Sequence, residues 1–439
     1  MSFFGPISPP ALDEASTPVI RRALHRARVV GNFAFVQGVV QVISFLSGIL
    51  VIRRLEQREY AYFTIANTMQ ATLNVLADIG ITIGLVSIGG RVWQDRHRFG
   101  QLVNTALGLR RKLSFAAVIA VVPVLYYLLS KNGATASYST LLVVAVLAGL
   151  SVQLSIGVLS VVPRLRSDIQ RIQTIDLTGA IVRLLALLAL MYLFLNGAVA
   201  LAVSSAVLVL QYWMLHRYVT GVVDLNASEN SDDRKAMLGF IRSQAANAIF
   251  FCIQGQITVF LISLFGRHVS SIAEVGALGR LGMIFAVLSH LLTNVFAPAF
   301  ARCQDKIRLR LQYAAVVSSV VAFSAVIVGA AVFFPRAFLF VLGGKYSHLD
   351  RELLLMVAGA VVSVITATLW SLNASKAWIA GSWLYIPLTL GTQLALIPFI
   401  DFGSVPGVLT FNFLSAIPSL LLNVLLSYRG FRHWQPATG

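Results

Sequence analysis

The sequence predicts an all-α, polytopic membrane protein with about twelve transmembrane helices in two six-helix bundles around a central cavity. Three observations lead to this prediction. The 439 residues are 57% hydrophobic and only 12% charged, whereas soluble domains carry about 25% charged residues. Apolar runs of at least about 18 residues recur along the whole chain. One long polar segment, 216–236, divides these runs into two equal groups.

The apolar runs are separated mostly by short polar turns, and each is predicted to cross the membrane. Their predicted starts are Val29, Ala61, Leu113, Tyr138, Ile172, Ala198, Met237, Val275, Leu311, Leu353, Trp378 and Val405. The predicted divisions are an N-terminal segment 1–28, a first bundle 29–215, a linker 216–236, a second bundle 237–427 and a tail 428–439. The first run, Val29 to Ile52, is too long for a signal-peptide core, so we expect it to be retained.

The charge pattern predicts the orientation of the chain in the membrane. Arginines precede the first run, and most of the 34 Lys and Arg residues fall in segments predicted to share the side of the N-terminus. The positive-inside rule therefore predicts that both termini are cytoplasmic. The same bias explains the net charge of +17, so nucleic acid is not predicted as a partner. The two cysteines predict no disulfide framework, and no metal-site spacing is found.

Polar residues form stripes on three of the predicted helices. Asn67, Gln70, Asn74 and Asp78 fall on one face of the second helix, because a helix turns 100° per residue. Similar stripes occur on the first helix, with Gln37 and Gln41, and on the seventh, with Gln244, Asn247 and Gln254. Hydrogen bonding between helices could explain one stripe, at about 0.6 to 2 kcal/mol per contact. Stripes from both halves of the chain favour a hydrated cavity between the bundles.

Three arginines lie inside predicted helices: Arg183, Arg242 and Arg280. An Arg at the centre of a membrane span costs about 2.5 to 3.5 kcal/mol on insertion scales and indicates a function by default. Asp176 shares the face of Arg183, about 10 Å away along the axis and too far for contact. A structural ion pair and a substrate-binding role therefore remain open for Arg183. Arg280 shares a broad side of the eighth helix with Asn294 and, further round, His290, whose ring is a natural titratable switch.

Catalytic and nucleotide-binding motifs are missing from the sequence. The chain contains no GxxxxGK[ST], GxSxG, HExxH or CxxC. No large loop is predicted on the side opposite the termini, where an enzyme acting on lipid-linked sugars would place its catalytic groups. The sequence therefore predicts a protein that is not an enzyme and that has no cofactor.

Three short stretches resemble a known family. Residues 54–63 (RLEQREYAYF), 342–346 (LGGKY) and 298–302 (PAFAR) are similar in order and position to motifs of Wzx-type polysaccharide or O-antigen repeat-unit flippases. These flippases belong to the multidrug/oligosaccharidyl-lipid/polysaccharide (MOP) exporter superfamily. The resemblance covers nearly the whole chain. Ala61 stands where the family commonly has a Gly, and Gln256 or its neighbours stand where the family commonly has an acidic residue near the middle of the seventh helix.

The resemblance implies a V-shaped pair of bundles whose cavity is lined by helices one, two, seven and eight. It also implies export of undecaprenyl-pyrophosphate-linked oligosaccharide repeat units from the cytoplasmic to the periplasmic leaflet of the bacterial cytoplasmic (inner) membrane. On this hypothesis a proton or sodium gradient drives alternating access. Expected partners are the lipid-linked oligosaccharide, membrane lipids, and a polysaccharide polymerase with its chain-length regulator.

Residue chemistry suggests the roles within this hypothesis. Pyrophosphate is expected to bind Arg280, with Arg183 and Arg242, because Arg offers bidentate donors for phosphate oxygens. The polar cavity lining is predicted to be Gln37, Gln41, Asn67, Gln70, Asn74, Gln244, Asn247, Gln254 and Asn294. The candidates for ion coupling are Asp78, His290 and Asp176. The competing hypotheses are a multidrug or small-molecule exporter of the same superfamily, a membrane polymerase or glycosyltransferase, and a scaffold subunit of a glycan assembly complex.

Overall fold

The computed structural model describes residues 19–166, 168–191, 196–285, 305–376, 378–379 and 381–433, with single positions at 292, 296, 300 and 303. Side chains are described from residue 35 onward, apart from those of residues 169 and 433. Among the described residues the regular structure is entirely helical. This confirms the predicted all-α fold class.

The described residues of the first half form eight helices. They are α1 (Val19–Arg54), α2 (Gln57–Asp78), α3 (Ile81–Val92), α4 (Arg96–Lys131), α5 (Ala136–Leu159), α6 (Val161–Leu165), α7 (Ile169–Leu190) and α8 (Gly197–Val222). The axes of α2 and α3 differ by 44°. Gly80 lies at this bend with φ of 73°, a left-handed conformation that glycine adopts without a steric penalty.

The second half continues with α9 (Ser231–Phe265), α10 (Val269–Leu281), α11 (Lys306–Phe333), α12 (Pro335–Leu342), α13 (Asp350–Ser375), α14 (Tyr385–Leu396) and α15 (Val405–His433). Short 3₁₀ turns follow or join them at Gly282–Phe285, Gly344–Tyr346, Ser382–Leu384 and Ile397–Phe399. Within the described part of the chain, nine helices are long and apolar enough to cross a membrane, and the bent pair α2–α3 would be a tenth. The shorter helices α10 and α14 occupy the positions of the predicted eighth and eleventh spans.

Several helices begin earlier or end later than predicted. α1 begins at Val19 instead of Val29, and α4 begins at Arg96 instead of Leu113. Apolar runs mark only the part of a helix that suits hydrocarbon, whereas polar turns can extend the same helix into water. For the same reason the non-helical connection between the halves is 223–230, shorter than the predicted linker 216–236.

The two ends of the helical bundle are distinguished by the connections that they contain. The far end is the end that contains residues 55–56, between α1 and α2. The linker end is the end that contains the connection 223–230. α2 packs on α4, α5 and α8 within the first half and also contacts α9 and α10 of the second half. In the second half, α13 packs against α11 and α15.

Contacts between the halves close the far end. Lys345 Nζ donates to the carbonyl of Leu55 at 2.8 Å. The side-chain amide of Asn132, at the end of α4, donates to the carbonyl of Ser263 in α9 at 3.1 Å. One buried apolar cluster contains residues of both halves, such as Ile52, Leu278 and Leu342. Polar and apolar contacts therefore both hold the halves together at this end.

The connection 223–230 is bound to α4 of the first half. Asn104 donates its amide to the carbonyls of Leu225 and Ala227 at 2.8 and 2.7 Å. The backbone amide of Asn230 donates to Thr105 Oγ1 at 2.9 Å. The connection, which belongs to the predicted linker, is thus held against the surface of the first half by hydrogen bonds.

The start of α9 is held by the first half as well. Arg98 of α4 forms two hydrogen bonds with the carboxylate of Asp233, one of them at 2.7 Å to Oδ1. The Asp233 side chain is only 5% exposed. Close by, a Cβ on Gly84 of α3 would lie 3.2 Å from the ring of Phe240. Helix α9 therefore packs against the first half before it joins the second.

Candidate substrate cavity between the halves

A cavity of 380 Å³ lies between the two halves, towards the far end. We call it the far-side cavity. It is bounded by α2 on one side and by α9, α10, α13 and α15 on the other. Its polar lining residues are Tyr60, Thr64, Asn67, Thr68, Gln256, Thr258, Arg280 and Asn412. The predicted lining residue Asn67 is therefore at a cavity wall, with its side chain exposed.

Arg280 extends from α10 into the interface between the halves. Its guanidinium reaches the hydroxyl of the buried Tyr60 in α2. A Cβ on Gly48 of α1 would lie 3.7 Å from Arg280 Nη1, so the side chain passes directly against the backbone of α1. Helical side chains lean towards the N-terminus of their own helix, which for α10 is the far end. Arg280 thus presents its charge between three helices.

Arg183 brings a second positive charge to the same region from α7. Its side chain is half-buried, and its Nε is buried with no hydrogen-bond partner among the described residues. The charges of Arg183 and Arg280 are close enough to repel each other. Neither guanidinium has a carboxylate within 4.0 Å in the part of the chain that the structure describes.

This arrangement is costly unless an anion joins it. Desolvation and mutual repulsion both disfavour two like charges held near each other inside a membrane protein. An unpaired buried N–H group adds the free energy of a lost hydrogen bond. A phosphate or pyrophosphate between the guanidiniums would supply acceptor oxygens and opposite charge at once. The geometry therefore suits an anionic ligand.

A second cavity of 630 Å³ lies between the halves towards the linker end. We call it the linker-side cavity. The predicted residues Gln244 and Asn247 of α9 line it, together with an aromatic wall of Phe251, Trp370, Trp383 and Tyr385. Arg242 lies on α9 near this cavity and is exposed, but it is absent from the described lining. The structure thus separates Arg242 from Arg183 and Arg280.

The two cavities are separated where α2 and α9 touch. The thiol of Cys252 donates to the carbonyl of Thr72 at 3.6 Å, a normal distance for sulfur. Leu73 next to this contact is fully buried. Gly255 and Gln256 line the far-side cavity, and the linker-side lining of α9 ends at Phe251. Passage from one cavity to the other therefore requires α2 and α9 to part.

Part of the polar stripe on α2 faces the interior of the first half. A Cβ on Gly149 of α5 would lie 2.8 Å from Nε2 of Gln70, which places the Gln70 amide against α5. Asp78 accepts a hydrogen bond from Thr82 at 2.7 Å and lies 3.4 Å from the guanidinium of Arg110 in α4. Gln70, predicted to line the central cavity, therefore packs against α5 and is not among the described lining residues of either cavity between the halves. Asp78, predicted as a candidate for ion coupling, faces α4, and its role in coupling stays a prediction.

The remaining predicted residues have varied surroundings. Gln254 exchanges two hydrogen bonds, at 3.0 and 2.7 Å, with Gln393 of α14, so it packs within the second half instead of lining a described cavity. Asn74 has a buried Oδ1 with no partner among the described residues. Asp176 is half-buried, with the charge of Arg164 nearby.

The predicted residues of α1 share a face with the Arg280 contact. Gln41 lies two helical turns before Gly48 and Gln37 one further turn away, and both are half-buried. His290 and Asn294 lie outside the described residues, as do Pro298 and Arg302 of the third motif. Sequence reasoning missed Tyr60, although Tyr60 belongs to the stretch 54–63. It also missed Arg110, which precedes the predicted start of the third span at Leu113.

The fold is similar to that of solved MATE and MurJ transporters, and it is the predicted all-α class with about twelve transmembrane helices. The chain resembles the lipid II flippase MurJ in an inward closed conformation with a TM-score of 0.68 and 10% identity, covering 90% of this chain and 87% of the other. It resembles an inward-facing multidrug resistance MATE family transporter with a TM-score of 0.61 and 14% identity, covering 90% and 98%. A MOP transporter from Pyrococcus furiosus matches with a TM-score of 0.52 and 15% identity, covering 91% and 93%. No family model and no curated protein sequence matches the chain.

Proposed function

We propose that this protein exports an undecaprenyl-pyrophosphate-linked oligosaccharide repeat unit across a bacterial cytoplasmic membrane. The observation that carries the proposal is the pair Arg183 and Arg280, which converge from opposite halves without a carboxylate partner among the described residues. Pyrophosphate offers several oxygens on two linked phosphates, so both guanidiniums can bind it at once. The fold shared with MurJ and MATE transporters supports membrane transport of this kind.

The proposed transport cycle moves the substrate between the two cavities, which are closed off from each other in this conformation. In this conformation the far end is closed, and the α2–α9 contact at Thr72 and Cys252 separates the far-side cavity from the linker-side cavity. The sugar hydroxyls hydrogen-bond to amides such as Asn67 and Gln256 at the far-side cavity and Gln244 at the linker-side cavity. The polyprenyl tail stays in the bilayer. Rocking of the halves then exposes the substrate alternately to the two leaflets.

The proposal includes the orientation and the energy source. Both termini are cytoplasmic, so the substrate is taken up at the linker end and released at the far end. A proton or sodium gradient drives the cycle without a cofactor or catalytic step. Asp78 and Asp176 are the described candidates for ion coupling. The expected partners are membrane lipids and a polysaccharide polymerase with its chain-length regulator.

Reconstituted transport tests the role of the two arginines. In proteoliposomes, Arg280→Ala and Arg183→Ala are each expected to slow translocation of a lipid-linked pyrophosphate oligosaccharide at least about ten-fold, because each removes a charge-assisted hydrogen bond. Arg308→Gln is the matched control, because that side chain is 80% exposed. Native rates for both alanine variants at equal protein abundance would exclude this binding site.

Deletion in cells separates transport from an enzymatic role. Mass spectrometry of lipid extracts, with leaflet-specific labelling, is expected to find complete repeat units retained in the cytoplasmic leaflet. Unfinished repeats would indicate a transferase, and single repeats in the periplasmic leaflet would indicate a polymerase.

A second candidate function is export of lipophilic cations or other small molecules. The aromatic wall of the linker-side cavity, with Trp370, Trp383 and Tyr385, favours it, because aromatic faces attract organic cations. The same proteoliposomes distinguish the two functions. A small-molecule exporter would move a fluorescent lipophilic cation, and its rate would fall in Trp370→Ala but not in Arg183→Ala.

A further inference from the structure

A third cavity, of 460 Å³, lies within the first half at the linker end. Its walls come from α4, α5 and α8, and Leu225 of the connection 223–230 closes one side. All of its described lining residues precede α9. The proposed transport path between the halves does not use this cavity, so its lining needs a separate explanation.

Arg110 is the buried cation at this cavity. The residue is 7% exposed, and a Cβ on Gly157 of α5 would lie 2.3 Å from its Nη1, so the guanidinium lies flat against the backbone of α5. Its described carboxylate contact is Asp78 Oδ1 at 3.4 Å, longer than a normal hydrogen bond. Its Nε and Nη1 are buried and have no hydrogen-bond partner among the described residues. The single carboxylate therefore leaves donors of Arg110 unsatisfied.

The other polar lining residues include a second arginine, an imidazole and hydroxyl groups. Arg111 and His216 reach the cavity from α4 and α8, and Ser151 and Ser155 line it from α5. No Asp or Glu is among its described lining residues. Two arginines with hydroxyls, and only the one long carboxylate contact from Asp78 outside the lining, are suited to binding a phosphate.

The depth of the cavity matches the headgroups of one leaflet. Ser155 lies one helical turn before the end of α5, and His216 lies less than two turns before the end of α8. Next to His216 on the outer surface, Trp213 is 57% exposed, and Phe115 of α4 is 70% exposed. Exposed apolar side chains on the outside of a membrane protein face lipid, and Trp is enriched where hydrocarbon meets headgroups. The basic cavity therefore lies beside lipid at the interface.

We propose that this cavity binds the phosphate of an anionic membrane lipid from the leaflet at the linker end. The phosphate oxygens accept hydrogen bonds from Arg111 and from the part of Arg110 that lines the cavity, and the phosphate adds a negative charge beside the buried Arg110 guanidinium. The serine hydroxyls bind the remaining headgroup oxygens, and the acyl chains lie along the lipid-facing surface near Phe115. Basic pockets between transmembrane helices are known to bind anionic headgroups in this way. The bound lipid also links α4, α5 and α8 across the cavity.

Lipid titration of the purified full-length protein tests the proposal. Phosphatidylglycerol is expected to raise the melting temperature in detergent and to bind in native mass spectrometry, whereas phosphatidylcholine is not. Arg111→Gln is expected to weaken the apparent affinity roughly ten-fold or more, by loss of a charge-assisted hydrogen bond. Lys112→Gln is the matched control, because Lys112 is the next residue of α4, is exposed and is not among the lining residues.

Each outcome of the titration supports or overturns the site. Weaker binding in both Arg111→Gln and His216→Gln, with native affinity in Lys112→Gln, supports it, and the second lining variant covers a failure of the first to fold. Equal affinity in all variants, or equal binding of phosphatidylcholine, overturns it. A titration with inorganic phosphate at the same concentration shows whether the bound phosphate group belongs to a lipid or to a free anion. If it gives the same Arg111-dependent shift as phosphatidylglycerol, the ligand is a free anion and the lipid assignment is wrong.

Discussion

Gly276 of α10 lies where any side chain would collide with α2 across the interface between the halves. A Cβ at this position would be 2.4 Å from Thr64 Oγ1 and 2.7 Å from Thr64 Cγ2. Contacts this short do not occur between real atoms, so Gly276→Ala must push α2 and α10 apart or displace Thr64. Thr64 is 7% exposed, and its hydroxyl donates to the carbonyl of Tyr60 at 2.8 Å. The displacement is therefore resisted.

The expected cost can be estimated from overpacking in protein cores. Extra methyl groups in packed sites cost about 1 to 3 kcal/mol. The same substitution raises helix propensity by up to about 1 kcal/mol, but that gain is common to all conformations of the protein. The collision arises at a contact between the halves, so we expect separation of the halves at the far end to relieve it. Gly276→Ala is therefore expected to shift the equilibrium between closed and open far ends by roughly 5- to 150-fold towards the open form.

Gly279 offers a matched control three residues further along α10. Nothing lies within 4 Å of a Cβ at Gly279, so Gly279→Ala has the same helix-propensity gain without the collision. Thr64→Ala should rescue Gly276→Ala, because it removes the two atoms at 2.4 and 2.7 Å. A double-mutant cycle between Thr64 and Gly276 then isolates the contact between the halves.

Spin labels on the two halves give the assay. Ser137 and Arg351 are exposed at the far ends of α5 and α13, one in each half. Double electron–electron resonance between labels at these positions is expected to show a larger population of long distances in Gly276→Ala than in Gly279→Ala. Identical distance distributions in the two variants would refute the reasoning.

Two further predictions concern α9. Asp233→Asn is expected to destabilise the protein by about 1.5 to 3 kcal/mol, the range for a hydrogen bond to a charged group. Asp232→Asn should change little, because the Asp232 side chain is 86% exposed whereas that of Asp233 is 5% exposed. Thermal unfolding in detergent measures both variants, and equal melting temperatures would contradict a stabilising role for the Arg98–Asp233 pair. Maleimide is expected to label Cys303, which is half-exposed, about ten-fold faster than Cys252, which is 4% exposed, because Cys252 reacts only when α2 and α9 part. Mass spectrometry of time points gives the two rates, and similar rates would show that the helices part readily.

The sequence predicted the class of fold well because the apolar runs report directly on the solvent of each segment. It predicted which α2 residues share a face, but not what that face contacts. Periodicity fixes the angle of a residue around its own helix, and only the packing of other helices decides what lies opposite. Asn67 meets a cavity at one end of the stripe, whereas Asp78 meets Arg110 at the other.

Pairs that are distant in sequence were the least predictable. Gln254 lies at helical spacing from the cavity-lining residues Gln244 and Asn247. Its side chain nevertheless forms a hydrogen bond with Gln393, which is 139 positions away in the sequence. The proximity of Arg183 and Arg280 arises in the same way, because α1 and α7 pack together and α10 touches α1. A single sequence contains no signal for these contacts, and only the chemical cost of each buried Arg indicates that a partner must exist.

The bound connection between the halves determines how the chain would respond to being cut. A flexible linker contributes only by keeping the two halves of a protein close together, so the halves diffuse apart when such a linker is cut. Here the connection 223–230 is hydrogen-bonded along α4 by Asn104, and α9, which follows it, is bound to α4 through Asp233. A protease nick in the connection would therefore leave both fragments assembled. The protein should accordingly reassemble from two separately synthesised polypeptides, provided that the second begins early enough to keep Asp233.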